Sequence, residues 1–210
     1  MVDVIQPVIT GELTATEEAD LFYGFAGGLQ GAAIDLLGGD DRVDGTNIDD
    51  LGTGIESSIV FGNDGDDTII GNATGANSVG IDDSLIRGGA GNDIIIAEGT
   101  AGITGTIIDG DEGDDIIRVK NGVGTVIGGD GNDRLILEGV FADYVFTPLF
   151  DLTALETEEG EIVVSDEITT LIKIEGANTE LLAFNFEEFQ FEGELDSIIT
   201  VPDLASSGDM

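Results

Sequence analysis

GNDGDDTII at residues 62–70, GGAGNDIII at 88–96, GDEGDDIIR at 110–118 and GGDGNDRLI at 128–136 superimpose as nine-residue windows. Their shared pattern is G-[GND]-x-G-[ND]-D-x-[IL]-x. Glycines at positions one and four let the backbone take left-handed turns that aim carbonyl oxygens inward, and the sixth-position aspartate ends the turn with a carboxylate. A single Gly-Asp loop is an ordinary turn. Loops repeating in register are units that must stack to bury their apolar faces.

The sixth-position aspartates, Asp67, Asp93, Asp115 and Asp133, are separated by 26, 22 and 18 residues. Eighteen residues make two nonapeptides, one coil of turn, strand, turn, strand, and the longer spacings place 8 and 4 extra residues on the opposite side. Backward extension reaches Asp41 in GGDDRVDG, a loop two residues short, and Asp20 in EEADLFYG, which has no glycine before its aspartate. In this register the residue two after each aspartate centres a short strand and points inward. Those residues are Phe22, Val43, Ile69, Ile95, Ile117 and Leu135, and the return strand places Leu36, Val60, Ile86, Ile108 and Val126 two before the first loop glycine. All are large and apolar in a chain that is 41% hydrophobic, so the register is supported independently of the motif.

Charge indicates what the loops face. The 210 residues hold 44 acidic and 6 basic side chains, a net charge of −38 at pH 7, yet the apolar content exceeds that of a disordered acidic tail. With no Cys and no His, thiolate zinc sites, disulfides and the Ser-His-Asp triad are excluded, and no Gly-x-Ser-x-Gly elbow is present, so no enzyme is expected. Surplus carboxylate repels nucleic acid and anionic membrane surfaces, and no apolar run approaches the roughly 18–20 residues of a membrane span. A hard cation bound through oxygen suits this composition. Calcium takes about six to eight oxygen ligands, more than one loop supplies, so neighbouring loops must share each ion.

The pattern resembles the RTX (repeats-in-toxin) calcium-binding nonapeptide G-G-x-G-x-D-x-U-x, where U is a large apolar residue. The windows at 88 and 128 match throughout, and those at 62 and 110 replace the second glycine by Asn63 and Asp111. The resemblance covers about residues 20–192 and implies an all-β fold: a calcium-binding parallel β-roll, a right-handed β-solenoid, followed by an antiparallel β cap. It implies metal positions at Gly38, Gly39 and Asp41; at Gly62, Asn63, Asp64, Gly65 and Asp67; and at Gly88, Gly89, Gly91 and Asp93. The later loops add Gly110, Asp111, Gly113 and Asp115, then Gly128, Gly129, Gly131 and Asp133. About three to five calcium ions are expected on one edge, because opposite turns such as GNATGANSVGIDD, EGTAGITG and KNGVG lack the motif.

The expected organisation is an N-terminal segment at 1–19, the roll at 20–137, a Phe-rich cap at 138–196 and a tail at 197–210. RTX proteins typically leave Gram-negative cells through a type I exporter that reads an uncleaved C-terminal signal. The resemblance therefore implies an extracellular or cell-surface location, with the tail as signal, and MVDVIQPVITGEL lacks the features of a cleaved leader.

Beyond Leu135 glycine thins and Phe141, Phe146, Phe150, Phe184, Phe186, Phe189 and Phe191 accumulate. DYVFTPLF, GEIVVSDEI, TTLIKIEG and AFNFEEFQFEG read as antiparallel strands that close the last coil, with Glu187 and Glu188 on their solvated face. Arg42, Arg87, Arg118 and Arg134 read as local charge partners of the loops. At the other end MVDVIQPVI alternates like a strand and Thr14–Glu17 fits a helix capping box, but neither is an evident cap. The first coil, with Leu21, Phe22, Tyr23 and Phe25, is then expected to offer a bare edge to another copy. The expected function is a secreted, calcium-folded structural component of a cell surface, matrix or filament. The alternative is a carbohydrate- or partner-binding module, or the non-catalytic part of a larger RTX protein; Met1 and the terminal Gly-Asp-Met favour a complete chain.

Overall fold

The computed structural model describes residues 1–151, 155–156, 162–163, 170–194 and 198–200. The chain winds as a parallel β-solenoid. Strand β1 (Asp3–Thr14) lies on β2 (Leu21–Asp35), and the next coil is β3 (Arg42–Asn47), β4 (Thr53–Glu56) and β5 (Ile59–Asp64). Then come β6 (Thr68–Ala73), β7 (Val79–Asp82) and β8 (Leu85–Ala90), followed by β9 (Ile94–Glu98) with β10 (Ala101–Glu112). A coil of β11 (Ile116–Val119) and β12 (Gly122–Asp130) leads to β13 (Arg134–Leu137). One wall is β3–β6–β9–β11–β13, and the facing wall is β5–β8–β10–β12, all parallel.

Alternation within each strand points one residue set inward. Phe22, Val43, Ile69, Ile95, Ile117 and Leu135 stack in register and are at most 1% exposed. On the facing wall the column is Ile34, Val60, Ile86, Ile108 and Val126. Ile34, not Leu36, pairs with Val60, and Gly38 bridges Asp64. The loop at 36–41 is therefore full length rather than two residues short. Leu36 and Leu37 hold its first two positions, and Gly38 and Gly39 its third and fourth. Ile34 and Leu36 are both apolar and two apart, so alternation alone fits either register.

The extra residues of the longer coils build a third wall rather than loops. Leu29, Ile55, Ile81 and Ile103 stack in register there, and each is fully buried.

After β13, a 3-10 turn at Phe141–Asp143 leads to β14 (Val145–Asp151), a short ribbon of β15 (Leu155–Glu156) and β16 (Ile162–Val163), and β17 (Thr170–Gly176). Then follow β18 (Thr179–Phe184), β19 (Glu188–Phe191) and β20 (Ile198–Thr200). β14, β17 and β18 form an antiparallel meander, and β20 pairs antiparallel with β19. Yet β18 lies parallel on β12 and β19 parallel on β13, so the solenoid continues past residue 137. Buried Phe146, Phe186, Phe189 and Phe191 plug this end, with Phe146 edge-on to Phe189 at a centroid distance of 5.4 Å. Of GEIVVSDEI only Ile162–Val163, and of the tail at 197–210 only Ile198–Thr200, lie among the described residues.

The first coil is not bare, because β1 covers it from Asp3 opposite Leu21 to Thr14 opposite Asp35. The outer edge is β1 itself, whose register shifts between Gln6 and Val8 and again between Ile9 and Gly11. Bulges and Pro7, which has no N–H, blunt such an edge. The capping box at Thr14–Glu17 starts no helix: Thr14 ends β1, and the following residues turn towards β2.

Candidate metal centre

A ladder of buried carboxylates runs along one edge of the roll. The N–H of Asp20 donates to Oδ1 of Asp41 at 2.6 Å, Asp41 to Asp67 at 2.8 Å and Asp67 to Asp93 at 2.7 Å. Asp93 donates to Asp115 at 2.7 Å, Asp115 to Asp133 at 2.9 Å and Asp133 to Glu187 Oε2 at 2.8 Å. Each aspartate thus holds the coil before it. Glu187, expected on a solvated face, instead ends the ladder half-buried.

Only one oxygen of each carboxylate is used this way. Oδ2 of Asp41, Asp67, Asp93, Asp115 and Asp133 is buried without a hydrogen-bond partner. Buried polar groups are rarely left so, because the desolvation is uncompensated. The glycines show where four of these oxygens lie. A Cβ built on Gly62, Gly88, Gly110 or Gly128 would fall within 3.0 Å of Oδ2 of its own loop's aspartate, Asp67, Asp93, Asp115 or Asp133. It would also fall within 3.0 Å of the carbonyl oxygen of Gly88, Gly110, Gly128 or Asn185, the matching residue of the next coil. First-position glycine therefore leaves a cradle in which a carboxylate and a carbonyl oxygen meet. At 36–41 Leu36 carries a Cβ at that position, so the cradle series starts with Gly62.

The other motif residues shape the turn. Gly39, Gly65, Gly91, Gly113 and Gly131 have φ between 107° and 146°, open to glycine alone. At position two Asn63 and Asp111 adopt the left-handed region at φ 69° and 74°, beside Gly89 and Gly129 at 117° and 125°. Their side chains leave the cradle: Asn63 Nδ2 donates to Asp35 at 2.8 Å, and Asp111 faces Arg87 at 3.8 Å. The Asp64 side chain is exposed. Arg42 pairs with Asp44, Arg87 also with Asp109, Arg118 with Glu98 and Glu192, and Arg134 with Glu188.

A second ladder on the exposed rim was not singled out in the sequence. The N–H of Asp66, Asn92, Asp114 and Asn132 donates to the side-chain oxygen of Asp40, Asp66, Asn92 and Asp114 respectively, at 2.8–3.1 Å. The [ND] of position five is its signal: either residue offers the same acceptor.

Burial pushes the ladder carboxyls up, and stacked like charges add to it, with the N–H bond offsetting part. Asp67, Asp115 and Asp133 reach about 7, Asp41 and Asp93 about 6. Asp20 behaves differently. Burial raises it, but N–H donors from Val2 and Thr16, the Thr16 hydroxyl and the N-terminal ammonium at 3.5 Å hold it below the usual range. The chain's own donors complete that first rung.

Carboxylate and carbonyl oxygens are hard donors that fit calcium and not a thiophilic metal. Among the described residues no three acidic side chains converge as a cage, so a cation at this edge would have to draw on main-chain carbonyls as well as carboxylates. No family model matches the chain, and neither does any curated protein or solved structure.

Proposed function

We propose that this is an exported calcium-binding β-roll protein of the RTX kind that folds on meeting extracellular calcium and serves as a structural component of a cell surface, matrix or filament. The observation that carries the reading is the row of buried, unpartnered Oδ2 atoms, of which those of Asp67, Asp93, Asp115 and Asp133 each lie beside an inward carbonyl above a first-position glycine. Bound calcium supplies the positive charge that neutralises this row. Without a counter-charge, Asp67, Asp93, Asp115 and Asp133 repel one another, and the glycine-rich turns favour the flexible chain that a narrow exporter needs. Cation binding then contributes to folding free energy, and each loop shares ligands with its neighbour, which makes loading cooperative. Affinity suits extracellular calcium, on the order of 10⁻⁴ to 10⁻³ M. The structural role is supported by the described elements, which the roll and its closing strands account for without a separate effector unit.

Far-UV circular dichroism with light scattering, on metal-stripped protein titrated with calcium and separately with magnesium, tests this. The expected result is a calcium-specific transition from coil to β structure; scattering that grows in the same titration would favour the filament over a component that does not self-assemble. A β spectrum present without metal and unmoved by calcium would remove the reading.

A second reading has its own support. A cleft of about 430 Å³ between the roll and the closing strands is lined by Asn121, Glu138, Asp143, Tyr144, Asn178 and Thr179. Amide, carboxylate, hydroxyl and aromatic groups together suit a saccharide, and a glycan-binding screen on the calcium-loaded protein separates this module from the structural component.

A further inference from the structure

We infer that the chain holds one further divalent cation where the repeats end, between the loop at 128–133 and the non-repeat turn at 185–187; this rests on the calcium reading above. Asn185-Phe186-Glu187 contains no glycine and matches no part of the nonapeptide. The parallel register nevertheless runs to Ile127 opposite Phe184, which puts Asn185 beside Gly128 where a repeat would place its first glycine. The Asn185 carbonyl and Asp133 Oδ2 both lie within 3.0 Å of the same point above Gly128. This is the donor pair found above Gly62, Gly88 and Gly110.

Two buried oxygens without partners separate the junction from a plain turn. Asp133 is 0% exposed and its Oδ2, at the cradle, has no partner. Asn185 Oδ1 is also buried and unpartnered, which is true of no other amide oxygen among the described residues. Asn185 adopts φ 51°, a left-handed conformation that asparagine tolerates better than most residues. Glu187 adds a half-buried carboxylate, fixed by the Asp133 N–H at 2.8 Å. A main-chain carbonyl, a side-chain amide oxygen and carboxylates are calcium donors. Repeat loops offer no amide oxygen at this position, so the junction differs from them in chemistry. It joins the last repeat to the Phe plug, since Phe186 lies between the two polar residues and is buried.

Native mass spectrometry of the full chain in calcium counts the ions held by wild type, Asn185→Gly and Glu187→Gln. Glycine keeps the positive φ and the carbonyl and removes only the amide. Wild type is expected to hold one ion more than Glu187→Gln at a calcium level that just fills the repeats, whereas Asn185→Gly, which keeps the carbonyl and Asp133 Oδ2 pair of the repeats, is expected to keep the ion with affinity lowered about ten-fold. In wild type the Asn185 side-chain amide resonance is expected to shift on loading, a readout independent of how the variants fold. Equal ion counts with an unmoved Asn185 amide overturn the junction site while leaving the repeat loops standing. A wild-type chain that takes up no calcium overturns both readings.

Discussion

On one edge of the roll buried aspartates accept the N–H of the coil before them; on another, serines do the same with a hydroxyl. Ala32 N–H donates to Ser58 Oγ at 3.1 Å, and Ser58 N–H to Ser84 Oγ at 3.0 Å. Each hydroxyl then donates to a carbonyl, Ser58 to Glu56 at 2.8 Å and Ser84 to Asp82 at 2.7 Å, so nothing is left over. The spacing of 26 residues from Ser58 to Ser84 matches that from Asp67 to Asp93. Coil stacking therefore needs only an acceptor, and a neutral one suffices. The aspartate edge carries, in addition, a charge and a second oxygen that its own hydrogen bonds do not use. That surplus is what the cation reading explains.

Moving the surplus across is the strongest test of the contrast. Ser84→Asp keeps an acceptor for Ser58 N–H but buries a charge at a residue 7% exposed, where no glycine cradle faces it. Urea denaturation of the calcium-loaded protein should register a loss of about 3–5 kcal/mol. Raising calcium should not restore it; a full rescue would mean that any stacked carboxylate recruits the ion.

Closing a cradle comes next. The added Cβ of Gly110→Ala meets Asp115 Oδ2 and the Gly128 carbonyl, one of them rigid backbone. Overpacking of this kind costs about 1–3 kcal/mol, and the calcium midpoint read by circular dichroism should rise. An unchanged midpoint would separate the glycine from the cation.

Acid should act chiefly on the aspartate edge. The ladder carboxyls sit at about 6 to 7 in the folded chain, raised from 3.8, so the fold binds more protons than the unfolded chain between those values. Without metal, their contribution to stability is complete below the unfolded value and is lost as pH rises through about 6 to 7. Metal-stripped protein should gain β structure as pH falls from 7 to 4, and calcium should add progressively less. A metal-free chain that unfolds further over this range would reverse the sign.

The smallest effect belongs to the exposed rim. Asp66→Asn keeps the acceptor used by Asn92 N–H at 2.8 Å and should change stability by about 0.5 kcal/mol or less. A loss of a size comparable with the cradle variant would make the rim part of the cation site.

Much of this was legible because Asp67, Asp93, Asp115 and Asp133 repeat with an apolar residue two positions later, and strand alternation turns that spacing into a core column. The third wall was also written in the sequence, as Gly-Ile at 54–55, 80–81 and 102–103, spaced like the aspartates. It escaped a register anchored on the loops because those residues fall where insertions of differing length were expected. The loop at 36–41 misled because Leu36 is buried in either register. Glu187 and Asn185 carry no repeat signature, and only the parallel pairing of β18 and β19 brings them to the ladder.

The sequence by itself determined the coil spacing, the inward apolar columns and the turn chemistry, since these depend on local backbone preference and on a two-residue alternation. Tertiary structure decided which carboxylate oxygens are satisfied. Oδ1 and Oδ2 are chemically equivalent in the isolated side chain, and only the position of the preceding coil gives one of them an N–H partner and leaves the other beside a carbonyl.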